Sequence, residues 1–252
     1  MLQSVSIKSL YVPALAEGEG VGTAYEYFAK RLVLKGWLKH FSQKPRSILM
    51  AGCPEKYGSN LDTVLLAAEL GATLTIIDER PEALEKAKAG LKAAQAENWL
   101  SRFEATYTAV NDLTDLAALN AHFDLVVVSE VLQRLAPPNR SAYIEELQRI
   151  GTAVALFTPN GDNAAHTNLS GLAGLTLDEL NQLVPKWQTG YIDMPPFPPG
   201  IVRTEEQREQ ATTGTFENIA MWGLAYYARC EFLIPTVVRR KQSHIVYALS
   251  PF

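Results

Sequence analysis

Residues 47–78, SILMAGCPEKYGSNLDTVLLAAELGATLTIID, constrain the fold of this chain more than any other stretch. An apolar run, Ile48-Leu49-Met50-Ala51, turns at Gly52. A loop and an apolar helical stretch follow, and a second run, Leu74-Thr75-Ile76-Ile77, closes on Asp78. This is the outline of a βαβ unit with an acid at the tip of its second strand. In such units the turn after the first strand meets a ligand closely, and the acid accepts hydrogen bonds from a ribose diol. The stretch therefore points to a nucleoside-bearing cofactor without saying which one.

The bulk numbers set the limits. At 252 residues, 47% apolar and 20% charged, the chain can bury a sizeable core as one large α/β domain or as a domain with an appendage. A formal net charge of -4, with both signs scattered, makes nucleic acid an unlikely partner, because phosphate neutralisation needs a concentrated basic face. The two cysteines, Cys53 and Cys230, form no CxxC and no Cys/His cluster, so neither a disulfide framework nor a metal site is expected. The first residues do not read as a signal peptide, and no apolar run reaches the ~20 residues of a spanning helix. A cytoplasmic protein is the expectation.

In chain order, residues 4–11 read as a short strand and residues 17–22 as a glycine-rich acidic loop, either plain or lying over the cleft. Thr23, with Glu26 completing a capping box, predicts a helix to about residue 40, with Tyr25 or Tyr27 candidates to roof a pocket. Strand, helix, strand and helix then occupy about 47–51, 60–70, 73–78 and 81–96. Gly71 ends the first of these helices and Pro81 opens the second. Residues 103–110 read as a third strand and 113–120 as a short helix. Residues 123–129 hold the continuous apolar run Leu125-Val126-Val127-Val128, the mark of a central parallel strand. A helix at about 139–150 and a fifth strand at 153–158 complete an alternating pattern that predicts a doubly wound sheet.

The last third differs. A helix at 177–184, a strand at 187–193 and a proline-rich linker precede a largely helical stretch at 204–240 and a final strand at 244–249. This fits an antiparallel edge hairpin carrying a helical insertion. Residues 1–45 then form an N-terminal loop and helix able to act as a lid, residues 46–252 the main domain, and 194–242 the insertion over the substrate side.

This order of pieces resembles the class I S-adenosylmethionine (SAM)-dependent methyltransferases over about residues 46–185. Leu49-Met50-Ala51-Gly52-Cys53-Pro54 stands at the family's glycine-rich first motif, Ile77-Asp78 at its ribose-binding acid and Asn111-Asp112 at its adenine-side polar pair. Residues 123–132 and 155–160 resemble its fourth and fifth strand segments. The resemblance implies a Rossmann-like α/β fold with a seven-stranded, mostly parallel sheet and an antiparallel edge strand. It also implies SAM as cofactor and methyl transfer to a small, aromatic or lipidic molecule. The first motif departs from the family pattern. Met50-Ala51 replaces its acid, Cys53-Pro54-Glu55-Lys56-Tyr57 separates Gly52 from Gly58, and Arg134 stands where many members have histidine.

The candidate cofactor-binding residues are Gly52, Cys53, Gly58, Asp78, Glu79, Asn111, Asp112 and Ser129, and the candidate catalytic residues are His166 and Glu130. His166 lies in a polar run after the fifth strand, where a near-neutral pKa suits a general base. Each has a bland counterpart: Asp78 as a helix cap, Asn111 and Asp112 as turn residues, His166 as a solvated loop histidine. In residues 216–238, Trp222, Tyr226 and Tyr227 are candidates to line an apolar pocket, with Glu217, Arg229 and Glu231 on the wet face. Peripheral membrane contact and oligomer formation stay open. The altered first motif keeps a non-catalytic scaffold of the same fold in play. An NAD-dependent oxidoreductase is less favoured, because Gly52-Cys53-Pro54 does not give GxGxxG.

Overall fold

The computed structural model describes residues 6–55, 61–96, 99–117, 119–197 and 215–251. A seven-stranded sheet runs through them in the order β3-β2-β1-β4-β5-β7-β6. β1 (Ser47–Ala51), β2 (Thr73–Asp78), β3 (Ala105–Ala109), β4 (Leu125–Ser129) and β5 (Val154–Pro159) are parallel. β7 (Ile245–Leu249) runs antiparallel to both β5 and β6 (Gln188–Ile192), so the sheet ends in the expected edge hairpin. Every residue of β4 and β5 is buried, which accounts for the apolar runs Leu125–Val128 and Val154–Phe157.

Alternate residues of the strands supply the two faces. Met50, Ile76 and Val127 pack with α2 (Val21–Trp37), α3 (Leu61–Leu70) and α4 (Pro81–Ala96). Leu49, Ile77 and Val128 pack with α5 (Pro137–Ile150) and α7 (Leu177–Leu183) on the other side. Prolines occupy the first turn of α5, where their missing N–H groups go unneeded, so that helix starts two residues earlier than its sequence suggests.

The N-terminal expectation is overturned. Of the stretch read as a strand at residues 4–11, residues 7–11 lie in a helix, α1 (Ile7–Ala16), whose Ser6 and Ser9 form a reciprocal capping box; residues 4 and 5 lie outside the described residues. Ile7, Leu10, Tyr11 and Ala14 recur at helical spacing and bury against α2 and α8 (Thr215–Cys230), and this packing outweighs the cost of Pro13 inside the helix. α2 also starts earlier than expected, on Gly20 rather than Thr23. Thr23 is buried inside the helix, and Glu26 bonds Lys30 instead of closing a capping box. Residues 113–117 form turns, not a helix. Leu113 and Leu116 are buried under α5, and the amide of Leu116 donates to Glu146 rather than to a helical carbonyl. α1, α2 and α8 thus share a third core that caps the sheet on the α2 side.

Close backbone packing at Gly174 holds the segment after β5. A Cβ there would lie 2.6 Å from the Gly161 amide nitrogen and 2.8 Å from the Asn160 carbonyl carbon, neither of which can yield. Gly36, inside α2, has open space around the same position. Gly174→Ala is expected to lower unfolding stability by about 1–3 kcal/mol, and Gly36→Ala to raise it by about 0.5–1 kcal/mol. Urea melts of the two variants check both signs.

Candidate functional site

The carboxyl ends of the parallel strands form one edge, where ligands of open α/β sheets bind. On the β1–β2 half, Gly52 takes φ +89° and its N–H donates to the carbonyl of Ile77 at 2.9 Å. A Cβ at residue 52 would meet Val131 Cγ2 at 2.7 Å, so the glycine admits Val131 close to the backbone. Asp78 ends β2 with its carboxylate fully buried. Oδ1 accepts from the Arg80 N–H and Nε, each at 2.8 Å. Oδ2 accepts from the Cys53 N–H at 2.6 Å, Arg80 Nη2 at 3.0 Å and Arg134 Nη2 at 3.1 Å. Burial opposes ionisation, but the Arg80 side chain and the Cys53 and Arg80 amides outweigh it and hold the carboxyl below the usual aspartate range. Glu79 pairs with Arg134, and Arg80 Nη2 also donates to the Cys53 carbonyl at 2.9 Å.

Cys53 is no nucleophile in this setting. Burial, with Asp78 alongside, pushes its thiol up to about 12. At the start of α3, the Leu61 N–H donates to Glu17 Oε1 at 3.1 Å, so a carboxylate from the α1–α2 loop sits on that helix N-terminus. The hydroxyl of Tyr27 donates to the same glutamate. Asn111 and Asp112 follow β3 and are exposed; Asp112 accepts from its own turn, from the Thr114 N–H at 2.7 Å. Gly58 lies outside the described residues.

The β4–β7 half holds a buried polar layer beneath the helical cap. Lys30 donates to Ser129 Oγ at 2.8 Å and to Glu26, with its ammonium 5.6 Å from the Phe157 ring centroid. Burial lowers the Lys30 pKa, but Glu26, Glu130 and Asp62 more than offset it, so the ammonium stays charged. Glu130 is buried with φ +56°, and its N–H donates to the Phe157 carbonyl at 2.9 Å.

Two residues along the edge, Asn160 and Asn163 donate to the backbone of residues 240–243 at 2.8 to 3.2 Å. That clamp sets His244 at the entry to β7. The register Ile192↔Ile245 then brings Asp193 beside it, with Asp193 Oδ2 3.1 Å from His244 Nδ1. His166 stacks on His244 at 4.1 Å between ring centroids and 9° between planes. It belongs to the short helix α6 (Ala164–Ser170) rather than to the expected loop. Asp193 is strained at φ +62°, and its Oδ1 has no hydrogen-bond partner among the described residues. Burial pushes its carboxyl up, with His244 opposing in part.

Further under the cap, Glu231 accepts from the Tyr25 hydroxyl and from the Met194 N–H at 2.9 Å. It is buried, not on the wet face its sequence position suggests. Trp222 and Tyr226 point the other way and are exposed rather than lining a pocket. Lys30, Asp193, Glu231 and His244 were not legible as site residues. Only their positions at strand ends or on an amphipathic helix hinted at them, and their meeting depends on the hairpin register.

Residues 48–152 match the family model of a methyltransferase domain. A search of curated proteins finds no match. Among solved structures, the plantazolicin methyltransferase BpumL in complex with SAH aligns at 15% identity over 96% of this chain and 88% of that one, with a TM-score of 0.53. The methyltransferase domain of a bacterial Hen1 aligns at 15% identity over 88% and 97%, with a TM-score of 0.51. The magnesium protoporphyrin IX methyltransferase of Synechocystis PCC 6803 with bound SAH aligns at 14% identity over 91% and 83%, with a TM-score of 0.50. At these identities the likeness is one of fold. The match over residues 48–152 marks a methyltransferase domain there, and the solved structures share the fold around it.

Glu231 makes the cap sensitive to pH. Burial is the main cause that raises its carboxyl from 4.5 to about 7, with Asp193 adding to it and the Tyr25 and Met194 hydrogen bonds opposing. The folded state therefore holds a proton that the unfolded state releases. The stability linked to that proton is complete below pH ~4.5 and is lost as pH rises through about 7. Relative to Glu231→Gln, which keeps the acceptor and cannot ionise, wild-type stability should fall by about 3 kcal/mol across that window. Urea melts at pH 5 and pH 8 check it; parallel changes in both proteins contradict it.

Proposed function

We propose that the chain transfers the methyl group of SAM to an oxygen or nitrogen of a small aromatic or lipidic acceptor, with His244 as the base that deprotonates it. The observation that carries this reading is the His244–Asp193 pair on the carboxyl edge of a methyltransferase domain. SAM supplies an electrophilic sulfonium-bound methyl, and an enzyme of this kind mainly aligns the acceptor with it. Asp193 beside Nδ1 favours a proton there and makes Nε2 the basic nitrogen. His166 fixes the plane of the His244 ring by stacking on it. Glu130 contributes negative charge near Lys30, whose hydrogen bond orients Ser129 at the end of β4.

The residues at the β1–β2 end fit an adenosine-type ligand in kind and position. Asp78 and Glu79 are carboxylates at a strand tip, Gly52 and Cys53 form the adjoining turn, Ser129 ends β4, and Asn111 and Asp112 follow β3. In this reading these residues hold the cofactor. Both Asp78 oxygens, however, are already acceptors for Arg80, Arg134 and Cys53, and Glu17 already sits on the α3 N-terminus. A ribose diol must therefore displace an arginine rather than meet an open acid.

Calorimetry with SAM tests the reading, and no detectable binding at millimolar ligand overturns it. Arg134→Gln, which removes one competitor for Asp78 and Glu79, is expected to bind SAM several-fold more tightly; unchanged or weaker binding removes the competition argument. The acceptor side has its own measurement. Methyl transfer to a panel of phenols, carboxylic acids and amines should rise with pH in the wild type. The acid limb of that profile should disappear in His244→Gln, with a loss of about 10²–10⁴ in kcat.

A further inference from the structure

We infer that the outer face of α8 and α9 (Thr236–Gln242) docks on an anionic lipid surface. α8 is apolar on two sides. Met221, Ala225 and Ala228 are buried against α1 and α2. Ile219, Trp222 and Tyr226 recur at spacings of three and four on the outer side and are exposed, Trp222 by 71%, with its ring stacked on Tyr226. The short turn after α8 continues the pattern. Glu231 turns inward to Tyr25, while Phe232 (69% exposed) and Leu233 face out, and Val237 is exposed in the first turn of α9. Of the nine large apolar side chains exposed among the described residues, seven lie in residues 219–238. Such a concentration marks an interaction surface.

Charge selects the occupant. The chain as a whole is acidic at -4, yet residues 215–242 carry four cations, Arg229, Arg239, Arg240 and Lys241, against two carboxylates, Glu217 and Glu231, of which Glu231 is buried. Arg240 is paired with Asp162 and Asp178, but Arg229, Arg239 and Lys241 have no ion pair among the described residues. An outward stripe of tryptophan, tyrosine and branched aliphatics ending in basic residues matches a bilayer interface. Aromatic rings sit at headgroup depth there, and anionic headgroups attract the cations. No described helix is long and apolar enough to cross a membrane, and the contact inferred is a peripheral one. It does not depend on the identity of the methyl acceptor.

The experiment uses the full chain with vesicles of phosphatidylcholine alone and of phosphatidylcholine mixed with phosphatidylglycerol. The chain should sediment with the mixed vesicles at least about tenfold more strongly than with the neutral ones, and lose that advantage as salt rises. Trp222→Glu with Phe232→Glu should abolish the binding, while circular dichroism and the urea midpoint show the fold retained. Arg239→Gln with Lys241→Gln, which leaves the apolar face intact, should reduce only the preference for anionic vesicles. The inference fails if the wild type ignores both vesicle types, or if the glutamate variant binds as well as the wild type. It fails equally if ultracentrifugation shows a dimer that the glutamate variant dissociates in the absence of any vesicle binding, because the face then belongs to a second copy of the chain.

Discussion

A carboxylate removed from water stays charged only where other donors replace the water it has lost. Asp78 meets that requirement with the Cys53 amide, the Arg80 amide and side chain, and Arg134. These donors come from the turn after β1, the start of the connection to α4 and the segment after β4. One buried charge thus ties together three strand ends that meet nowhere else in sequence. Removing one side of such a pairing costs about 3–5 kcal/mol, because it leaves the other charge buried and unpaired. Gly52 belongs to the same arrangement. A side chain there would push Val131 outward and crowd Arg134.

The β6–β7 end is organised differently. Where Asp78 is saturated, Asp193 has one oxygen on His244 and another with no partner among the described residues. A backbone strained into the left-handed region at an aspartate is retained only where its surroundings enforce it. Here they do so through the amide of His244, which donates to the Asp193 carbonyl at 2.7 Å, and the Asn160–Asn163 clamp on the strand entry. The edge therefore divides into a charge-satisfied half under β1 and β2 and a half under β5 to β7 that keeps titratable groups in reserve. That division suits a site where one part holds a ligand and the other moves a proton.

Much of the frame was legible because its signals are local. β1, α3, β2 and α4 fall within a residue of their sequence-based bounds. Each is marked by its own apolar run, by Gly71 in the left-handed region, or by Pro81 at a helix start. The seven-stranded, mostly parallel sheet with its antiparallel edge followed from the resemblance and the hairpin. What could not be read depends on partners distant in sequence. α1 is a helix because Leu10 and Tyr11 find α2 and α8, and the Leu113 region is not one because Glu146 takes the Leu116 amide. The His244–Asp193 pair follows from a register, Ile192↔Ile245, that no residue between 193 and 244 announces. Asp78 stood out for a ribose, yet its present side-chain donors are Arg80, two residues away, and Arg134, fifty-six residues away.

The engagement of Asp78 bears on what the altered first motif means. A site that binds a polar ligand must satisfy its own polar groups when the ligand is absent, and in a buried setting it cannot rely on bulk water. This chain uses its own arginines and Glu17. The family's closely spaced glycines would leave backbone amides open in that place; Cys53-Pro54 instead points one amide at Asp78 and supplies none at residue 54. On the reading proposed above, an adenosyl ligand binds there in exchange for internal ion pairs, and its apparent affinity is scaled down to the fraction of molecules in which those pairs are open. Affinity and stability are thereby set against each other through the same two arginines. Loosening them would favour the ligand and weaken the junction of β1, β2 and β4 on which the domain rests.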